Sequence, residues 1–302
     1  MEIKYAKQIE IDEIADKEID LFLFAGNHEK RVFSAYNKCR SSYKIIKSIV
    51  LCYNETFINK VQCVEQLVIS DNSQIYDLLD LEFSKFSKKG INIIIDYSCM
   101  TKPWYYSIIL YLSKKVLCVN KINAYFTYTP SKYSEPKDPK PNSEIAPLPG
   151  KYVVPTNKPK ALIVCLGYEQ NKAEGIIDHL DPKISYIFYT KPALDGEFVK
   201  TLEVNNKNVL DGAQEKIITY PFDDLLYLER ELTSIYYLLK DKYSITIAPL
   251  GPKPFTFIAM LMSVKHNDID IWRVGSGSDI NEYEREPFED EKFIVSEVVF
   301  EN

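Results

Sequence analysis

The sequence predicts an α/β protein built from two Rossmann-like units in tandem, each a mostly parallel five-strand sheet flanked by helices. Three observations carry this. Short, continuous apolar runs alternate with amphipathic stretches along the 302 residues, the pattern of parallel strands covered on both faces. Half of the 16 prolines fall between Pro130 and Pro159, which divides the chain. On each side of that divide the same elements recur in the same order, and each set contains a Lys-Pro turn between a buried strand and a helix.

The elements follow in order. A first strand, Leu21-Phe22-Leu23-Phe24, leads into Gly26-Asn27-His28-Glu29-Lys30-Arg31; its counterpart, Ala161-Leu162-Ile163-Val164-Cys165, leads into Gly167-Tyr168-Glu169-Gln170-Asn171. A helical pattern follows each. The second strands leave through aromatics, at Ser48 to Tyr53 and Ser185 to Tyr189. The third strands, Gln66 to Ile69 and Lys216 to Thr219, run into helices predicted over Ile75 to Ser87 and Leu225 to Leu239, where the apolar spacing fits one buried face. The fourth strands, Ile91 to Ile95 and Ser244 to Ile247, end at Asp96-Tyr97-Ser98-Cys99-Met100-Thr101-Lys102-Pro103 and at Ala248-Pro249-Leu250-Gly251-Pro252-Lys253-Pro254. Helices over Trp104 to Leu112 and Phe255 to Val264 and fifth strands over Ile122 to Phe126 and Ile269 to Trp272 complete the sets. The expected division is residues 1–129, a first Rossmann-like unit; 130–159, a linker or arm too rich in proline for helix or inner strand; and 160–302, a second unit.

Composition narrows the class. A hydrophobic content of 46% with 26% charged residues, together with 22 Tyr and 15 Phe, describes a globular chain with a real core. A net charge of −6 disfavours wrapping a long nucleic-acid duplex. No apolar run reaches the roughly 18 residues of a membrane span, and the N-terminal residues lack a signal-peptide core, so a cytoplasmic protein without a membrane partner is expected. Cys39, Cys52, Cys63, Cys99, Cys118 and Cys165 form no C-x-x-C pair, and several lie in apolar runs; they read as buried free thiols. The three histidines are scattered and no zinc-ligand set is visible, so no metal site is expected. Walker A, H-E-x-x-H, G-x-S-x-G and the G-x-G-x-x-G dinucleotide fingerprint are absent, and no cofactor is expected.

Ligands of open parallel sheets bind beyond the carboxyl ends of the strands, where helix N-termini also gather. Two landmarks per unit map there. In the Lys-Pro turn the proline suits the first helical position, and a lysine just before a helix is unfavourable beside the positive helix end unless an anion joins it. Lys102 and Lys253 are therefore candidate phosphate ligands, with Ser98 and Thr101 as hydroxyl donors in the first unit and Gly251 allowing close backbone approach in the second. The turn after the first strand offers Gly26, His28, Glu29 and Arg31, against Gly167 and Glu169. The glycines lie at the turn and Arg31 supplies a second charge; Glu29, Glu169 and His28 are the candidate acid or base groups, although a Glu in a first helical turn also serves as a dipole partner. After the last strand, Arg273 to Asp279 is a small, amide-rich loop in which Ser276 is a candidate ligand contact. The run Asn281 to Glu286 reads as a solvated surface.

The Asp96-Tyr97-Ser98-Cys99-Met100-Thr101-Lys102 turn resembles the D-x-T-G-G-T-K turn of CARF domains, Rossmann-like sensors associated with CRISPR systems. The Asp, a hydroxyl residue, the Thr and the Lys fall at the family's spacing, while Cys99-Met100 replaces its two glycines. SAVED domains resemble two such units fused. The resemblance implies that Ser98, Thr101 and Lys102 touch the phosphate or ribose of a cyclic oligoadenylate; Lys253 does so only through the internal match. It also implies a defence-system role as a stand-alone sensor, a ligand-degrading ring nuclease or a subunit that works with a separate effector protein, since both units and the linker occupy the whole chain. Three readings follow: a sensor for a small phosphorylated, nucleotide-type ligand; an enzyme cleaving a phosphodiester or N-glycosidic bond; and a scaffold with a vestigial pocket.

Overall fold

A computed structural model describes residues 1–14, 18–57, 64–115, 119–212, 216–277, 284–289 and 292–302. In chain order the elements are β1 (Glu2–Ile9), β2 (Glu18–Ile19), β3 (Leu21–Gly26), α1 (Ser34–Ser42), β4 (Lys44–Ile45), β5 (Ser48–Cys52), β6 (Glu65–Val68), α2 (Ser73–Phe83), β7 (Gly90–Asp96), α3 (Lys102–Lys114) and β8 (Lys121–Tyr128). Then come β9 (Glu144–Pro147), β10 (Lys160–Cys165), α4 (Lys172–Leu180), β11 (Ile184–Thr190), α5 (Gly196–Asn205), α6 (Lys207–Gly212), β12 (Ile217–Tyr220), α7 (Leu225–Leu239), β13 (Ser244–Pro249), α8 (Lys253–Lys265), β14 (Ile269–Gly275) and β15 (Ile294–Glu301).

The first sheet has seven strands in the order β1-β15-β8-β7-β3-β5-β6, and the second has six in the order β12-β11-β10-β13-β14-β9. Within each, five strands are parallel. Numbered by their appearance in the repeated pattern, these five lie in the order 3-2-1-4-5 in both sheets. The predicted fold class holds, and the shared order ties the two units together more firmly than landmark spacing could. The additional strands are antiparallel: β15 pairs with β8 and β1 with β15, while β9 pairs with β14.

The chain divides into unit 1, Met1–Lys132 with Ile280–Asn302, and unit 2, Tyr133–Asp279. The expected boundary of the second unit at residue 302 is therefore corrected. Strand β15 is buried over Ile294–Phe300 and sits between β8 and β1, so the last residues complete the first sheet. The predicted linker at 130–159 is corrected too. Its residues 133–159 belong to unit 2, and Glu144–Pro147 forms the edge strand β9, a place where flanking prolines cost no inner hydrogen bond.

Burial explains the parallel strands. Every residue of β3 is buried, as are the last four of β7 and the last five of β10, which is what covered faces require. The helix after each fourth strand is also enclosed on nearly all sides: Trp104–Leu112 of α3 and Pro254–Ser263 of α8 are buried. These segments are apolar around most of their circumference, which fits central helices rather than amphipathic surface ones. By contrast α7 buries Leu225, Leu228, Leu232, Ile235, Tyr236 and Leu239 at helical spacing and starts on Asp224, whose carboxylate accepts from the Tyr227 amide at 2.9 Å. Cys39, Cys52, Cys99 and Cys165 are buried free thiols; Cys63 and Cys118 lie outside the described residues.

At the far end of α8, Lys151 Nζ donates to the carbonyls of Ser263, His266 and Ile269, the last at 2.7 Å, closing the carbonyl end of the helix with a cation. His266 stacks on Tyr236 at 4.0 Å between centroids, and Tyr236 Oη donates to Asp268 at 3.0 Å. Burial first, then Lys265, with Lys151 and Lys240 adding to it, lowers the His266 pKa against the pull of Asp268. The imidazole is thus more easily protonated in the unfolded chain. Stability is present above the ordinary value of 6.5 and falls as the pH drops through the depressed folded value. A melting series from pH 8 to pH 5.5 should show this loss, and His266→Phe should flatten it; an identical slope in the variant would remove His266 from the account.

Candidate functional site

In both sheets the strand order reverses between strand 1 and strand 4, that is, between β3 and β7 and between β10 and β13. That reversal is where sheets of this kind hold ligands. The two landmark turns of each unit leave the sheet there.

In unit 1 the turns are stitched together by Arg31. Its side chain is fully buried. Nε donates to Glu29 Oε2 at 2.6 Å, one terminal nitrogen to the Thr129 carbonyl at 2.7 Å, and the other to the Ser98 carbonyl at 3.1 Å. One guanidinium therefore ties the exits of strands 1, 4 and 5. Asn27 Nδ2 donates to the second oxygen of Glu29 at 3.2 Å, and the Glu29 amide donates to Asn27 Oδ1 at 2.9 Å. Burial alone lowers the Arg31 pKa, but Tyr128, whose ring centroid is 5.5 Å away, and the Glu29 carboxylate raise it above its ordinary value. The fork geometry is the reason for arginine here: its planar guanidinium places donors on three separate nitrogens, so it spans acceptors on three loops, whereas an ammonium must gather them around one nitrogen.

Ser98 belongs to the same internal network. Its amide and hydroxyl both donate to Asp96 Oδ1, and its Oγ accepts from the Thr129 amide at 2.7 Å. Asp96, Ser98 and Thr129 are buried. The rest of the turn is braced by Tyr53, which donates to the Cys99 carbonyl at 2.8 Å and accepts from the Thr101 amide at 2.9 Å. Its ring stacks on Trp104 with centroids 4.0 Å apart, and burial pushes its phenol pKa up. Past this brace the half-buried Thr101 and Lys102 emerge. Lys102 is the first residue of α3 rather than the residue before it, and Thr101 is the N-cap, without a side-chain capping bond.

Of the candidates in this unit, Glu29, Arg31 and Ser98 come together, but as parts of the scaffold. Both Glu29 oxygens are engaged inside the protein, and its carboxylate holds Arg31. Gly26 is buried against the ring of Phe57; a Cβ there would fall 2.4 Å from two ring carbons. His28 is half-buried on the same turn.

Unit 2 closes its reversal point differently. A Cβ on Gly167 would lie 2.5 Å from the Leu250 carbonyl oxygen, and one on Gly251 would lie 2.7 Å from the Leu166 carbonyl oxygen and 2.5 Å from Cys165 Sγ. The two glycines let the turns pack backbone to backbone, so Gly251 is needed by its neighbour in the fold. Asn206 Nδ2 donates to the Gly167 carbonyl at 2.9 Å and Asn205 Nδ2 to the Tyr168 carbonyl at 2.7 Å. Gly167→Ala or Gly251→Ala should each cost about 1–3 kcal/mol through backbone displacement. Urea titration followed by Trp272 fluorescence reads this, and wild-type midpoints for both would contradict the packing. Glu169, on the same turn, pairs with Lys172. Lys253 again opens its helix, after Pro252 as N-cap. Ser276 is half-buried after β14, where Arg273 pairs with Glu144 of β9 at 2.7 Å. Ser278 and Asp279 of that loop, and Asn281 to Tyr283, lie outside the described residues.

Tyr53, Thr129, Asn205 and Asn206 brace these turns without having been singled out as site residues. Only Tyr53 had a signal, the aromatic exit of its strand. Among the described residues no group of three or more His, Cys, Asp or Glu is placed to hold a metal ion, and no helix is long and apolar enough to cross a membrane. No protein-family model matches the chain, and no curated protein matches it in sequence.

Proposed function

We propose that the protein is a sensor that binds a small phosphorylated, nucleotide-type ligand at its strand ends and signals to a separate effector protein. The observation that carries this reading is the repeated start of α3 and α8: in both units the helix after the fourth strand begins with Lys-Pro, at the point where the strand order reverses. A helix start has a positive end, and a lysine in its first turn adds charge of the same sign. The combination makes sense when an anion is bound. The resemblance of the Asp96 to Lys102 turn to CARF sensors supports a cyclic oligoadenylate as the ligand and a role in antiviral defence. With Glu29 committed to Arg31 and Asn27, binding accounts for the strand ends better than bond cleavage does.

In unit 1 the contacts would come from Thr101 and Lys102, with Arg31 and Ser98 holding the turn in shape. In unit 2 they would come from Lys253, whose neighbours Pro252 and Pro254 have no N–H to offer. Isothermal titration with linear and cyclic adenylates should give saturable heats. Lys102→Ala should weaken binding about tenfold, the loss of roughly one charge-assisted contact. A flat titration across the series with folded protein would reject the sensor reading. New products in the same mixtures would favour an enzyme.

A further inference from the structure

Residues 285–288, which precede β15, lie against the strand exits of unit 1. The Lys30 amide donates to the Arg285 carbonyl at 3.1 Å, the Lys132 amide to the Glu286 carbonyl at 3.0 Å, and the Phe288 amide to the Pro130 carbonyl at 2.9 Å. Ser131 and Pro287 form an antiparallel bridge. Lys30 lies in the exit turn of strand 1, and 130–132 in that of strand 5. Strand 4, β7, lies between those strands in the sheet. The segment therefore spans from the first exit to the last and crosses the level of the Asp96 to Lys102 turn. Arg31 links the same three exits from inside; the returning segment links the outer two from the surface.

The side-chain chemistry of this crossing is specific. Glu286 Oε1 pairs with Lys30 and Oε2 with Lys132 at 3.5 Å, so two ammonium groups from different loops converge on one carboxylate. Glu284 adds negative charge near Lys30, and the two lysines hold the Glu286 pKa below its usual range, Lys30 more than Lys132. Two cations converging on one oxyanion also suit a phosphate: a phosphodiester matches the carboxylate in charge and in its two free oxygens, and a terminal phosphate exceeds it in both. All three side chains are substantially exposed, at 58% for each lysine and 42% for Glu286. Such pairs are screened by salt and exchange readily.

We infer that residues 284–288 form an autoinhibitory strap, in which the Glu286 carboxylate occupies an anion position between Lys30 and Lys132 that a phosphate group of the ligand would take. This rests on the sensor reading above. Anion binding then costs the Glu286 contacts, and the strap loosens as the ligand arrives. Release of residues 284–288 from Lys30 and Lys132 becomes the signal.

Hydrogen exchange and pyrophosphate titration of the full chain test this, using wild type, Glu286→Gln and, as a control, the exposed Glu289→Gln. The expected result has three parts. The Lys30, Lys132 and Phe288 amides lose protection about tenfold in Glu286→Gln; pyrophosphate produces the same loss in wild type; and pyrophosphate binds Glu286→Gln about tenfold more tightly than wild type. Unchanged protection in Glu286→Gln overturns the strap. Equal, measurable affinity for wild type and Glu286→Gln overturns the competition and leaves the sensor reading standing. No pyrophosphate binding to either protein, in solutions where both are folded, overturns this anion site; adenylate titrations then decide the sensor reading separately. Matching changes in Glu289→Gln would mean that bulk charge, and not the Glu286 position, is being read.

Discussion

Replacing Arg31 with methionine should destabilise unit 1 by about 3–5 kcal/mol, because it strands a buried carboxylate. Glu29 is 8% exposed and Arg31 fully buried, so water cannot replace the lost partner without opening the turn. The Ser98 and Thr129 carbonyls lose a donor in the same step. Each unit holds one of the two tryptophans, Trp104 and Trp272, so urea unfolding of a Trp272→Phe background reports unit 1 through Trp104. Arg31→Lys keeps the charge but not the fork and should cost about 1–3 kcal/mol. The double change Arg31→Met with Glu29→Met should be more stable than Arg31→Met alone, because no charge is left unpaired. A double variant that is less stable than the single one would show that the Glu29 carboxylate has other essential partners, and the ion-pair account would fail.

The second large effect concerns β15. Val298 is fully buried and pairs with Ala124 on one side and Ala6 on the other. Val298→Asp places a carboxylate at a fully buried position between two paired strands and should cost about 4 kcal/mol or more. Truncation after Phe293 should remove the unit 1 transition altogether, since β8 loses one of its two neighbours and β1 loses the one strand it pairs with among the described residues. The Trp272 signal should keep a cooperative transition in both variants, because unit 2 has its own hydrophobic cluster around Leu162, Val164, Ile176 and Ile187. Simultaneous loss of both transitions would refute that independence, and a wild-type Trp104 transition after truncation would refute the structural role of β15.

The elements that sequence reasoning found share a feature: their burial is written in their own residues. In α7 the spacing of Leu225, Leu228, Leu232, Ile235 and Leu239 marks one face, and both predicted ends are the observed ones. The elements it missed depend on remote partners. Strand β1 exposes most of its side chains and is held by backbone pairing to residues nearly 300 positions away, such as Glu2 with Glu301. No alternation records that. Ile294 to Phe300 is visibly apolar, but nothing local says which of two sheets it joins. For α5, the Asp195 cap that accepts from the Glu197 amide was a readable signal, overlooked between two stronger strands.

The site divides the same way. The locations of the exit turns were legible, since strands, glycines and Lys-Pro steps can be counted. Which side chains face inward was not. Arginine is rarely buried, so Arg31 read as a second charge for a ligand when it is the internal tie of three loops. Gly251 was legible as a position of close approach and Gly167 as a turn glycine, but the approaching group is each other's turn. Lys30, Lys132 and Glu286 were invisible as a group because 256 positions separate Lys30 from Glu286.

The late arrival of β15 also sets a schedule for biosynthesis. When β8 leaves the ribosome, the first sheet has most of its strands but not the one that covers its open edge. All of unit 2 must be translated before that strand exists. At about 5–20 residues per second this wait lasts on the order of ten seconds or more. Throughout it, the backbone donors and acceptors along the outer side of β8 are available to any extended segment nearby. A nascent chain of this kind depends on a chaperone, or on rapid folding of the inserted unit, to keep that edge from pairing with a neighbour on the same polysome.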